Sequence, residues 1–419
     1  MKLNGYATFE STQSLGVVGE KPGVFHERRR PLYEHGPLVS LVGFGSYRIG
    51  FHPSLAYPHC REALEYALRR GVNLVDTSTN YANGQSELLI GQTLSALVKG
   101  GDLRREQIVL VSKAGYVQGS VLEMMQQRER EGQSFAPLFK FGSDLWYCLD
   151  PDFLLDQLDR SLSRLGVECL DVFLIHNPEY MLKAFEHNSI PVEDARREFY
   201  AQMRRCFAAL EKAVEKGLIR AYGVSSNTLG ATSDDPTTVS LQRLMEAARD
   251  VAHNNSFKVV QCPLNWIEVN PIAIEGADDE DNTMTLAKKH GVGVLTNRPF
   301  NAMNDGGLIR LTRPVLRSDE ALDDAQRQGL LNWTKLSDDL EKLAREYITT
   351  AGYDDAPLSQ LVLSTLMWQP GVSAVLCGMR RIDYVVDAEQ AGALPLLLNA
   401  DQVMAQIYQD LEFHREGSH

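Results

Sequence analysis

The side chains able to do chemistry gather at the ends of short apolar runs. NLV ends in Asp76, IVLV in Ser112 and Lys113, and FLI in His176. Further on, YGV ends in Ser225, Ser226 and Asn227, KVV in Gln261, and GVL in Thr296, Asn297 and Arg298. Asp76 opens the segment DTSTNYANGQSE, in which Gly84 lets Tyr81 fold back over Asp76 and Ser86 and Glu87 start a helix beside them. Taken alone, that Asp and Tyr read better as a turn cap and a packing ring than as a site. Lys113 changes the reading. A phenol ionises near pH ~10 and is a poor proton donor at neutrality. A buried ammonium favours the phenolate, and a carboxylate such as Asp76 keeps that ammonium charged and oriented. Lowering Tyr81 by two or three units takes about 3–4 kcal/mol, which one desolvated lysine supplies. His176 then donates a hydrogen bond to a substrate oxygen from the other side. The set suits protonation of a carbonyl oxygen while another group delivers hydride. It suits hydrolysis less, because neither a Ser or Cys nucleophile with its base nor a metal-ligand spacing is evident.

Positioning these groups falls to eight β-rich runs: 38–46, 73–79, 108–115, 169–177, 221–227, 258–265, 293–299 and 373–379. Their near-continuous Val/Leu/Ile content predicts parallel strands buried on both faces. Amphipathic helices fill the gaps. Cys60, Ala63, Leu64, Ala67 and Leu68 share one helical face, as do Leu155, Leu158, Leu162 and Leu165. Asp150 and Pro151 read as the N-cap and first residue of the second of these helices. A third face, Met203 to Val214, closes at Gly217, and residues 357–370 form a mostly apolar helix. Eight such units build either a closed barrel or an open doubly wound sheet. The count and the missing glycine fingerprint favour a (β/α)8 TIM barrel, since GFGSYRIG at 43–50 runs on into HPSLAYP rather than a helix. Polar and ionisable residues at the carboxyl ends of successive strands are where such a barrel puts its active site.

The 419 residues carry 42 Lys+Arg against 55 Asp+Glu, a net charge of −13, which gives no general reason to bind nucleic acid or an anionic membrane. No apolar run is long enough to span a bilayer, and the first residues lack the apolar stretch of a secretory signal. The six cysteines are far apart, four of them within apolar-periodic stretches, which reads as buried, reduced thiols in a cytoplasmic protein. No metal site is expected. Residues 1–36, with Arg28, Arg29 and Arg30, read as an arm on a barrel spanning 37–419, and residues 117–149, 179–195 and 301–336 as long loops walling the pocket. Trp146, Tyr180, Trp266 and Phe300 are candidate substrate-lining residues. The acidic run 275–282 caps a helix or faces solvent.

The segments GVNLVDTSTNYANGQSE (71–87), VLVSKAG (109–115), LDVFLIHNP (170–178), EKGLIRAYGVSS (215–226), VVQCPLN (259–265) and GVSAVLCGMR (371–380) resemble the aldo-keto reductases, in order and spacing, over roughly residues 38 to 415. The resemblance puts the family's four catalytic residues at Asp76, Tyr81, Lys113 and His176. It implies a barrel that binds NADP(H) or NAD(H) without a Rossmann motif. Ser225, Ser226 and Gln261 then hold the carboxamide, and Gly45, Ser46 and Tyr47 match the first-strand cofactor loop. Asn297 stands where the family places an aromatic under the nicotinamide, with Arg298 beside it. Gly378, Met379 and Arg380 fit the eighth-strand pattern. Arg380 and Arg381 are candidates for pairing with a 2′-phosphate, which favours NADP(H) over NAD(H).

The expected activity is hydride transfer between a nicotinamide and a carbonyl or alcohol substrate (aldehyde, ketone or sugar), with Tyr81 as general acid or base. The rival is a nicotinamide-binding regulatory or redox-sensing protein of the same fold with little turnover. A third reading is a barrel lyase or isomerase without nicotinamide. The sequence leaves the oligomeric state open.

Overall fold

The structure, a computed structural model, describes residues 2–13, 23–49, 57–273, 281–304, 307–314 and 324–416. Eight strands close into a barrel: β1 (Val42–Gly45), β2 (Leu74–Asp76), β3 (Val109–Ala114), β4 (Leu170–His176), β5 (Ile219–Ser225), β6 (Phe257–Pro263), β7 (Gly293–Asn297) and β8 (Ala374–Cys377). Each pairs in parallel with the next in chain order, and β8 pairs back onto β1. A helix follows each strand: α1 (Tyr57–Arg69), α2 (Gln85–Lys99), α3 (Pro151–Leu165), α4 (Val192–Glu215), α5 (Leu241–Val251), α6 (Thr283–Lys289), α7 (Leu358–Met367) and α8 (Ile382–Ala393). This is the (β/α)8 barrel that the alternation of runs predicts.

Local chemistry explains the helix ends. The Asp150 carboxylate accepts the Asp152 and Phe153 N–H groups at the start of α3, with Pro151 at its first position. Gly217, at φ 71°, ends α4. The predicted stripe on α1, Cys60 to Leu68, is buried against the barrel.

Strand parity separates two cores. Leu74, Val109, Val111, Val172, Leu174, Ala221, Val259, Leu295, Ala374 and Leu376 fill the barrel interior, and the alternate strand residues pack beneath the helices. The run expected as one strand over 38–46 is two. Leu38–Ser40 pairs antiparallel with Arg29–Pro31 before the chain enters β1, and this hairpin, with Ala7 and Leu32, joins the interior cluster. The three arginines clamp it. Arg28 donates to the Gly392 and Leu394 carbonyls, Arg29 to Phe25 and Thr12, and Arg30 to Met367 and Val372.

The insertions are not plain loops. After β3 come a helix, Gly119–Arg130, and an antiparallel sheet of Tyr116–Val117, Trp146–Cys148 and Leu138–Lys140. A helix, Glu179–His187, follows β4, while the segment after β7 holds a hairpin, Asn301–Asn304 with Gly307–Arg310, and a helix, Asp324–Tyr347. Residues 305–306 and 315–323 of that segment lie outside the described residues, as do 50–56 and 274–280. Of the acidic run, Asn282 caps α6 by accepting the Thr285 N–H, and Asp281 pairs with Lys289 at 3.2 Å. All six cysteines are buried free thiols. Among the described residues no helix is long and apolar enough to cross a membrane, and no cluster of His, Cys, Asp and Glu could hold a metal.

Candidate active site

Strand alternation carries the inward face up to the carboxyl end of the barrel. The last inward positions are Gly45, Asp76, Lys113, His176, Ser225, Gln261 and Asn297, with Gly378 just past β8. Four of these side chains form one polar floor around Lys113. Its Nζ, fully buried, donates to Asp76 Oδ1 at 2.6 Å, to Oδ2 at 2.7 Å and to the Thr77 carbonyl at 2.9 Å. Gln261 Nε2 donates to Asp76 Oδ1 at 2.8 Å, and its Oε1 accepts from Ser225 Oγ at 3.3 Å and Asn297 Nδ2 at 3.2 Å. Asn297 Oδ1 is buried without a partner.

Tyr81 reaches this floor because the chain doubles back after β2. Ala82 and Asn83 both adopt left-handed backbone, φ 47° and 55°, and Asn83 Oδ1 accepts the Ser120 N–H at 3.0 Å, anchoring the turn to the insertion after β3. The Tyr81 ring centre is then 5.1 Å from Lys113 Nζ, and its ring meets His176 edge-on at 5.9 Å and Tyr47 at 5.2 Å. Tyr47, 65% exposed, is the outermost ring of the set.

The electrostatics correct one expectation. Burial holds the Tyr81 phenol well above its ordinary value of 10, and the Asp76 carboxylate and Tyr47 push it the same way. Lys113 does not make it acidic, because the carboxylate bonded through both oxygens cancels most of the ammonium field. Burial lowers Lys113 itself, an effect that Asp76 opposes. His176 is held well below 6.5 by burial and by Lys113, so its imidazole is neutral.

Other expected residues divide. Ser46 lies at the mouth, but its hydroxyl is spent on the Asp76 carbonyl at 2.7 Å and it accepts from Ser86. Glu87 is not at the mouth. It is buried between α2 and α3, where Ser112 donates to it at 2.7 Å, Arg164 at 2.6 Å, and Ser161 as well. Ser226 turns away from the floor toward Thr228 and the buried Glu179. Arg298, at φ 57°, pairs with Glu268 at 2.8 Å beside a cleft of about 250 Å³ lined in part by Asn227, Glu268 and Met303. Arg381 is committed to Asp383 at 2.9 Å, whereas Arg380 has no such partner among the described residues.

Of the substrate-lining candidates, Trp266 is wrong. It is fully buried and its indole N–H donates to Thr365 Oγ1 at 2.8 Å, so it is core. Trp146 lies in the inserted sheet beneath Lys140, and Phe300 is half-buried at the base of the hairpin after β7. Tyr180 is well placed. It stacks on Tyr147 at 5.3 Å and meets Tyr116, which stands edge-on to His176 at 4.9 Å. Sequence reading missed Tyr116 and Ser78. The Ser78 hydroxyl lies 3.0 Å from His176 Nδ1. Its position two residues after Asp76, on the same turn as Tyr81, was the available signal.

A family model described as Aldo/keto reductase family matches residues 41–408. The chain is 28% identical over 204 residues to the NADH-specific methylglyoxal reductase of Escherichia coli (strain K12), which covers 48% of this chain and 52% of that protein, so it spans about half the length of that relative. It is 21% identical over 366 residues to the uncharacterized oxidoreductase YqkF of Bacillus subtilis (strain 168), covering 87% of this chain and 90% of the other. Among solved structures, the aldo-keto reductase AKR11C1 from Bacillus halodurans in its holo form is similar with TM-score 0.55 at 20% identity, over 91% of this chain and 96% of that one. An aldo/keto reductase from Klebsiella pneumoniae in complex with NADP and acetate gives 0.54 at 18%, over 91% and 95%.

Proposed function

The chain belongs to the aldo/keto reductase family, and on that premise we propose that it moves hydride between a nicotinamide dinucleotide and a small carbonyl or alcohol substrate, with Tyr81 as general acid or base. The observation that carries this reading is the Lys113 ammonium, bonded to both oxygens of Asp76 and 5.1 Å from the Tyr81 ring centre. Tyr81 stays protonated because it is buried beside a neutralised ion pair. It therefore holds a proton ready for a carbonyl oxygen, the form a reduction needs. Once that proton leaves, the Lys113 ammonium behind the ring is the cation that faces the phenolate, its pull reduced by Asp76. Asp76 and the Thr77 carbonyl fix where the charge sits. The rings of Tyr47, Tyr116 and Tyr180 crowd the mouth and limit water around the reacting oxygen.

The floor suits a nicotinamide carboxamide. Asn297 Oδ1 is a buried acceptor lacking a donor, and Ser225 and Gln261 adjoin it. Past β8, a Cβ on Gly378 would meet open space, and Arg380 is a cation with no ion pair among the described residues. Ser225, Gln261 and Asn297 would hold the carboxamide, with Gly45, Ser46 and Tyr47 across the mouth. Arg380 would take a 2′-phosphate, favouring NADP(H) over NAD(H). When bound, the dinucleotide supplies or takes the hydride. The NADP-bound Klebsiella structure supports that preference, while the name of the Escherichia coli relative points to NADH, so both are measured.

The test is depletion of NADPH and of NADH in the presence of aldehydes, ketones and aldoses. Turnover with NADPH at the lower KM is expected. Tight cofactor binding with no turnover on any carbonyl would reject the enzymatic reading and favour the regulatory one.

A further inference from the structure

β7 ends in Asn297, and the chain then turns on Arg298. That residue has φ 57°, a left-handed backbone that every side chain with a Cβ disfavours. Pro299 follows, and the residue before a proline prefers an extended backbone. The covalent chain therefore opposes this turn twice, and the turn is held from outside by the loop after β6. Asn265, fully buried, grips one end. Its Oδ1 accepts the Ile267 and Glu268 N–H groups at 3.0 and 2.9 Å, which fixes the amide, and its Nδ2 donates to the Arg298 carbonyl at 3.1 Å. Glu268 grips the other end through its 2.8 Å ion pair with the guanidinium, while its second oxygen accepts from Asn265 Nδ2 at 2.8 Å. One residue back, Asn297 joins the floor. The Asp76 carboxylate only accepts, so Gln261 turns Nε2 to it and Oε1 to Asn297, which must then present Nδ2. Asn297 Oδ1 is left as a buried acceptor with no partner among the described residues.

We propose that Arg298 is a positioning residue: clamped by Glu268 and Asn265, it holds the left-handed turn that aims the Asn297 amide at the nicotinamide end of the cofactor, and does not itself touch the cofactor. The inference deepens the function proposed above and rests on its assignment of the floor to the nicotinamide. The guanidinium bonds Glu268 and, at 3.3 Å, Asn227 Oδ1, so its charge is spent on the loops after β6 and β5 rather than on a phosphate. With the clamp released, the turn relaxes toward the extended backbone that Pro299 favours and takes the Asn297 acceptor off the floor. A site whose competent conformation is only partly populated binds more weakly by that fraction. The loss falls on the nicotinamide end alone.

Glycine separates conformation from charge, because it takes a positive φ at no steric cost. The probes are NADPH and 2′-phospho-ADP-ribose, the same molecule without its nicotinamide (NADH and ADP-ribose give the same comparison). Titration calorimetry on the full chain gives both dissociation constants, and their ratio within one variant is not moved by losses of folded protein. Arg298→Ala keeps the backbone strain and loses the clamp, so it should weaken NADPH by roughly tenfold and leave the fragment within about twofold of wild type. Glu268→Ala should do the same. Arg298→Gly loses the same charge without the strain and should hold NADPH within about twofold of wild type. Equal losses of NADPH in Arg298→Gly and Arg298→Ala would show that the guanidinium itself serves the cofactor and would overturn the inference. So would a wild-type affinity in Arg298→Ala, or a loss shared equally by the two probes. A wild-type protein that binds neither dinucleotide strikes the proposed function, and the inference with it.

Discussion

At the scale of single residues, the account depends on one ion pair and one phenol. Lys113 is fully buried, and among the described residues Asp76 is its only charged partner within bonding distance. Removing one partner of a buried pair leaves an uncompensated charge, at a cost of about 3–5 kcal/mol. Asp76→Asn should therefore lose about 3 kcal/mol in urea denaturation, and Asp76→Asn with Lys113→Met should recover much of it; a loss under about 1 kcal/mol would contradict the pairing. The phenol makes a separate prediction. A group raised well above 10 keeps its proton as pH rises, so kcat/KM for carbonyl reduction should stay level on the alkaline side to about pH 9, with no fall from loss of the general acid. A limb descending through pH 7–8 would show Tyr81 to be acidic after all. Asp76, Lys113 and His176 were legible in the sequence because each ends an apolar run, and Tyr81 because it follows Asp76 in a turn that can fold back over the same mouth. The direction of the Tyr81 shift was not, since it depends on how closely Asp76 cancels Lys113 in space.

At the scale of elements, side-chain parity decides which of two neighbours serves the mouth. Ser112 and Lys113 are adjacent, yet Lys113 points into the barrel and Ser112 bonds Glu87 beneath the helices. Counting alternation back from Lys113 would have assigned Ser112, and hence its partner Glu87, to the outer face. The inserted sheet after β3 was illegible for a different reason. Its strands of two or three residues are too short to display a period. Parity also explains Gly223, an inward position in β5 at the break in register with β6. A Cβ there would fall inside the Val259 carbonyl and press on Leu174. Gly223→Ala should destabilise the barrel by about 3 kcal/mol or more, read from the denaturation midpoint. An unchanged midpoint would mean that β5 and β6 do not approach as closely as described.

At the scale of the whole molecule, stability and chemistry occupy opposite ends of the barrel. The amino end is closed by the hairpin from the first residues. Leu32 is fully buried there, its carbonyl accepts from Ser373 at 2.8 Å, and a Cβ on Gly293 would collide with that carbonyl. Composition marked residues 1–36 as polar but gave no hint that Leu32 and Ala7 enter the interior, since isolated apolar residues carry no period. Leu32→Ala should cost about 3 kcal/mol of stability and leave kcat of the folded enzyme unchanged. A fall in kcat with stability intact would tie the hairpin to the mouth instead. The acidic net charge has no visible part in the site.

The central claim is that Tyr81 holds the transferred proton while the floor around Lys113 holds the cofactor. Single-turnover reduction by Tyr81→Phe, with NADPH binding followed in parallel by fluorescence quenching, tests both halves together. The account predicts a rate lower by about 10²–10⁴-fold with cofactor affinity within twofold of wild type. A wild-type rate in Tyr81→Phe, or a loss of activity matched by a loss of cofactor binding, would contradict it.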